Sequence, residues 1–107
     1  MSASLAAGAL VEVPVEPTLA DGLAGQIDAE AFDIGRHALD EIVTVPEDAI
    51  ARAIKLLADS HGARVEGAGA AGVTALMESR YDALRFPLVA VVSGGNIDEE
   101  RWRSLTA

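Results

Sequence analysis

The sequence predicts an α/β fold, and three stretches predict it. "PEDAIARAIKLLADSHG", residues 46–62, sets Ile50, Ile54, Leu57 and Ala58 on one face at helical spacing. "LVAVV", residues 88–92, is an unbroken apolar run of the kind found in buried, parallel-type strands. "VVSGGNIDEERW", residues 91–102, carries that run into a glycine turn with one hydroxyl, Ser93, and then into the acids Asp98, Glu99 and Glu100. Apolar strand, glycine turn and amphipathic helix together form an α/β pattern.

Taken in order, "SASLAAGA" (residues 2–9) is small and helix-tolerant and reads as the tail of a helix. "LVEVPVEP" alternates apolar and acidic residues and suggests an extended segment. Pro14 and Pro17 keep it out of a central sheet position. Asp21-Gly22 signals a turn. "DAEAFDIGRHAL" reads as a short helix, and "DEIVTV" as a strand with Ile42, Val43 and Val45 at its core. Pro46 suits a first helical position, with Glu47 and Asp48 where the helix dipole favours acids and Gly62 as the stop. "VEGAGAAGVTALMESR" places Gly67, Gly69 and Gly72 in one helix, where each costs roughly 1 kcal/mol. Such glycines imply that a backbone or a ligand comes very near. "DEERWRSL" reads as a closing helix started by Asp98.

A chain of 107 residues is enough for one small domain, 1–107. Half of its residues are hydrophobic but only 4% are aromatic. Its formal net charge of −9 argues against nucleic acid and anionic membrane surfaces. The absence of cysteine excludes disulfides and thiolate metal sites. No apolar run approaches the ~20 residues of a membrane span. "MSASLAAGALVEV" lacks the basic start of a signal peptide, so the cytoplasm is the expected setting. His37 and His61 show no ligand spacing, and no metal is expected. Neither a GxSxG elbow nor a Walker-type loop is present.

The residues themselves leave two accounts of each glycine motif. Ser93, Gly94 and Gly95 are a plain strand-to-helix turn, or they receive a flat ligand at the carboxyl end of a strand. Glu66, in "EGAGA", is a helix-entrance acid or the one polar group of a pocket wall. Asp21 and Gly22 are a turn, or part of the same wall.

Taken in order, "PTLADGLAG", "DEIVTVPEDAIARAIKLL", "VEGAGAAGVTAL" and "VVSGGNID" resemble the C-terminal part of the pyridoxal-phosphate serine/threonine dehydratases. This is the threonine ammonia-lyase and serine racemase group of the tryptophan-synthase-β-like enzymes. The resemblance runs from about Ser2 to Asp98. It implies a partial PLP fold type II and a parent that deaminates a β-hydroxy amino acid to a 2-oxo acid and ammonia. It implies that Ser93 bonds the pyridine nitrogen of pyridoxal 5'-phosphate and that Gly94 and Gly95 shape the floor beneath the ring. Asn96 would brace the turn, Glu66 would lie close to the ring, and Gly22 would line the substrate side.

The sequence also departs from that family. Its relatives carry the cofactor on a lysine in an N-terminal motif and hold its phosphate in a separate glycine loop. Neither motif is in these 107 residues, and the metal-binding acids of some relatives would also lie before Met1. The only lysine, Lys55, sits about 120° round its helix from the Ile50–Ile54–Leu57 face, at ~100° per residue. It is therefore expected in water, and no catalytic residue is assigned. The expectation is a C-terminal fragment that is inactive alone and associates with itself or with an N-terminal half. Two other readings are a non-catalytic interaction module or pseudo-enzyme, and a small-molecule domain that uses the Ser93 turn for another ring or anion.

Overall fold

Five α-helices form along the chain: α1 (Ser2–Ala7), α2 (Ala29–Ala38), α3 (Glu47–His61), α4 (Gly67–Met77) and α5 (Glu99–Thr106). Asp21–Leu23 makes a single 3-10 turn. The computed structural model describes residues 1–107 and divides them into two compact units.

The first unit comprises Met1–Glu16 and Ala24–Val43. Gly8, at φ 71°, closes α1, and the buried Ser4 hydroxyl accepts the Val11 N–H at 3.2 Å. The Asp28 carboxylate caps α2 by accepting the Ala31 N–H at 2.7 Å. The Gln26 amide accepts from the Val13 N–H (3.2 Å) and donates to the Val13 carbonyl (2.6 Å), as a paired strand would. The "LVEV" segment lies in neither helix nor strand, and the hydrogen-bond partner of Val13 is a side chain.

The second unit comprises Pro17–Leu23 and Thr44–Ala107. Its centre is α3, which packs against both α4 and α5. Ile50, Ile54 and Leu57 are buried, together with Ala49 and Ala53. Pro46 is the N-cap and not the first helical residue, and Gly62 (φ 61°) stops the helix as expected. Ile54 is fully enclosed. Ile54→Ala should destabilise this unit by about 2–5 kcal/mol, read as a lowered denaturant midpoint. Thr74, also enclosed, satisfies its hydroxyl within α4 by donating to the Ala70 carbonyl at 2.9 Å. Asp98 caps α5, accepting the Arg101 N–H at 3.0 Å.

The two predicted strands do not form. Residues 40–46 and 88–92 are in neither helix nor strand, and Val89 and Val91 are 89% and 74% exposed. This corrects the expectation of a buried strand at 88–92. A strand exists only where a neighbour supplies hydrogen-bond partners, and here no such neighbour runs alongside. Just past this stretch the chain meets α4, where the Ser93 N–H donates to the Gly69 carbonyl at 3.4 Å.

Candidate functional site

Three segments of the second unit meet where α4 begins, and missing side chains bring them there. A Cβ on Gly67 would overlap the Leu19 carbonyl, and one on Gly69 would overlap the Ser93 carbonyl. The glycines that weaken α4 as an isolated helix thus let two backbones lie against it. Gly22 stands close by, the position of its absent Cβ being 3.1 Å from that of Ala68.

The Ser93–Asn96 turn is gripped by the residues that lead into α4. The Glu66 N–H donates to the Gly94 carbonyl at 3.1 Å. Gly94 is left-handed, at φ 72°, and a Cβ there would strike the Glu66 carboxylate. That carboxylate therefore lies along the turn. Ser93, Gly94, Gly95 and Asn96 are all exposed, while Glu66 is half-buried.

On the other side, the Leu19 N–H (2.8 Å) and the Thr18 hydroxyl both donate to the Glu47 carboxylate. The Leu19 amide, then Thr18 and weakly Arg101, hold the Glu47 carboxyl below its usual range. An acid depressed on folding stabilises the fold above its unfolded pKa and loses that effect as pH falls through the lower, folded value. The Leu19 amide should therefore stay protected at neutral pH and exchange faster, once corrected for intrinsic rate, below the ordinary carboxylate range. Glu47→Gln should reduce the pH dependence of that protection, measured by NMR.

Between these segments lies a half-open depression of about 150 Å³, lined among others by Leu19, Asp21, Glu66, Asn96, Asp98 and Arg101. It is smaller than the ~300–1,000 Å³ of a whole ligand pocket. Of the expected cofactor-site residues, Glu66 and Asn96 line it, Gly22 adjoins its Asp21 wall, and Ser93, Gly94 and Gly95 are not among its lining residues. Sequence reasoning passed over Arg64 and Glu47, which tie down the two flanking segments. Glu47 looked like an ordinary helix-dipole acid, and Arg64 carried no motif.

Lys55 is distant in function from this arrangement. Its ammonium pairs with Asp59 at 3.1 Å and donates to the Thr106 carbonyl at 3.0 Å, at the end of α5. The helical phase predicted an outward lysine, and 45% of the side chain is exposed. No helix of the chain is long and apolar enough to cross a membrane.

Comparison with known proteins agrees with this reading of the motifs. The family model described as "Pyridoxal-phosphate dependent enzyme" matches residues 1–94. An L-threonine ammonia-lyase of Geobacter sulfurreducens is 46% identical over 96 residues, covering 89% of this chain and 24% of that protein. The crystal structure of a threonine deaminase from T.th. superposes with a TM-score of 0.81 at 34% identity, covering 90% of this chain and 33% of that one. Maize serine racemase gives a TM-score of 0.78 at 28% identity, covering 96% and 34%. The chain thus spans between a quarter and about a third of these relatives, whose fold its backbone follows. It belongs to the pyridoxal-phosphate dependent enzymes, and within them it is similar to the C-terminal part of the threonine/serine dehydratase group.

Proposed function

We propose that residues 1–107 are one partial domain of a pyridoxal-phosphate threonine or serine ammonia-lyase, and that the second unit forms one wall of its cofactor pocket. The observation that carries this is the Gly69–Ser93 contact, which seats an exposed hydroxyl and two glycines beside Glu66 at the start of α4. The donor set suits the ring edge of the cofactor. Ser93 would offer a neutral hydroxyl to the pyridine nitrogen, Gly94 and Gly95 would form the floor beneath the ring by letting the turn close on Glu66 and Arg64, and Asn96 lines the neighbouring depression. Glu66 lies to one side, and Gly22 faces the substrate. Pyridoxal phosphate supplies the electron sink for β-elimination when bound. A neutral hydroxyl, unlike a carboxylate, does not force a proton onto the ring nitrogen. Ser93 would thus keep that sink moderate, which suffices where a β-hydroxyl leaves promptly. The donor set does not suit the phosphate, which needs several converging N–H groups or a cation. Nor does it offer a free lysine, because Lys55 is committed to Asp59 and Thr106. Those parts belong to an N-terminal half.

The test is a chimera in which these residues replace the matching segment of the Geobacter enzyme. It should convert L-threonine or L-serine to 2-oxo acid with the supplied lysine and phosphate loop. A folded, cofactor-loaded chimera without turnover would contradict the proposal.

A second reading, an interaction module, is favoured by the exposed run that includes Phe86 (77%), Val89 (89%) and Val91 (74%). It predicts concentration-dependent association in sedimentation, reduced by Val89→Lys together with Val91→Lys. A monodisperse monomer at high concentration counts against it.

A further inference from the structure

We infer that Arg64 is a positioning residue for the Ser93–Asn96 turn, acting as a latch between that turn and α5. The inference rests on the reading of this turn as the cofactor-facing edge, and names what holds it in place. Arg64 lies two residues before Glu66, in the link between α3 and α4. Its guanidinium donates to the Ile97 carbonyl at 2.7 Å and to the Glu99 carboxylate. It also lies over the Trp102 ring, with its central carbon 5.6 Å from the ring centroid. Its own carbonyl stands 3.0 Å from where a Cβ on Gly95 would be. Arg64 therefore bonds the end of the hook at Ile97 and stands beside Gly95 with its carbonyl, while Glu66 bonds it at Gly94. The Ile97 N–H folds back onto the Gly95 carbonyl at 2.9 Å, which makes the stretch from 94 to 97 one hooked unit.

A planar guanidinium is suited to this task. It can hold a carbonyl and a carboxylate from one fork while its face rests on an indole, whereas an ammonium is a point charge without a face. Ser93, Gly94, Gly95 and Asn96 are exposed, with Ser93 resting on Gly69 and Gly94 lying against the Glu66 carboxylate. Hydrogen bonds complete that seating, and Arg64 supplies the one that reaches the far end of the hook. Trp102, the only tryptophan, is half-buried and reports on the latch directly.

The test is amide exchange by NMR on the 107-residue chain and its Arg64→Ala and Arg64→Lys variants. Arg64→Ala should speed exchange at Glu66, Ser93 and Ile97 by about three- to tenfold, the range for loss of one net hydrogen bond. Ile54 and Leu57, in the core of α3, should keep their rates, and Trp102 emission should shift. Arg64→Lys should fall between the two. Unchanged exchange at all three amides would overturn the proposal. So would an equal acceleration at Ile54 and Leu57, which marks a global role, or full rescue by Arg64→Lys, which shows that charge alone suffices. Ser93→Ala probes the cofactor reading separately, because it leaves these backbone bonds in place. The latch and the cofactor role can thus fail independently.

Discussion

The purified 107-residue chain, given pyridoxal phosphate and L-threonine or L-serine, should produce no 2-oxo acid. Covalent attachment of the cofactor and movement of the substrate's Cα proton both call for a free amine at the site. The sequence contains one lysine, and the structure spends it on Asp59 and on the carbonyl of Thr106. The cofactor would also be held weakly. One hydrogen bond from Ser93 contributes roughly 1 kcal/mol, against the ~8 kcal/mol that micromolar binding needs. The phosphate, which would ordinarily contribute most, meets no cluster of backbone amides on this wall. Turnover that vanishes in Lys55→Ala would overturn this account of α3. Turnover that survives Lys55→Ala would point to a contaminating enzyme or to free-cofactor chemistry.

The second large effect concerns a single methyl group. Gly69→Ala should destabilise the second unit by about 1–3 kcal/mol, the usual range for forcing atoms into packed space. The new Cβ would overlap the Ser93 carbonyl, which is backbone and cannot swing aside as a side chain does. Either the turn lifts from α4 or the helix shifts, and the bond from the Ser93 N–H to Gly69 is strained in both cases. Gly72→Ala, one turn along the same helix, is the control. There a Cβ would lie 3.4 Å from the Val91 carbonyl, nearly ordinary contact, so the gain in helix propensity of up to ~1 kcal/mol should dominate. Denaturant midpoints moving in opposite directions would show that close approach at Gly69, and not glycine in a helix as such, is what the sequence protects. A harmless Gly69→Ala would mean that the turn does not rest on α4.

These two positions also show what was legible in the sequence. The spacing of Ile50, Ile54 and Leu57 reports burial because a helix repeats its faces regularly, and α3 has the predicted face. The glycine cluster announced a close neighbour, and the neighbours are Leu19 and Ser93. The apolar run at 88–92 predicts a strand that does not form within these 107 residues, for a physical reason. An apolar run records the surroundings in which a segment is buried, but the hydrogen bonds of a strand come from another strand. Within these residues no neighbour supplies them, so Val89 and Val91 face solvent. Arg64 was illegible because its partners, Ile97 and Glu99, lie 33 and 35 residues away. Nothing local marks an arginine that will stack on a distant tryptophan. Glu66 and Ser93, far apart along the chain, were tied together through the family resemblance and not by spacing.

The most direct measurement of the central claim is the dissociation constant of pyridoxal phosphate for the chimera, with and without Ser93→Ala. If the Ser93 hydroxyl faces the ring nitrogen, its loss should weaken binding by roughly three- to tenfold, the worth of one net hydrogen bond, while the Glu66 and Ile97 amides stay protected. Equal affinity and equal turnover in the two proteins would contradict the claim and leave the Ser93 turn as plain structure.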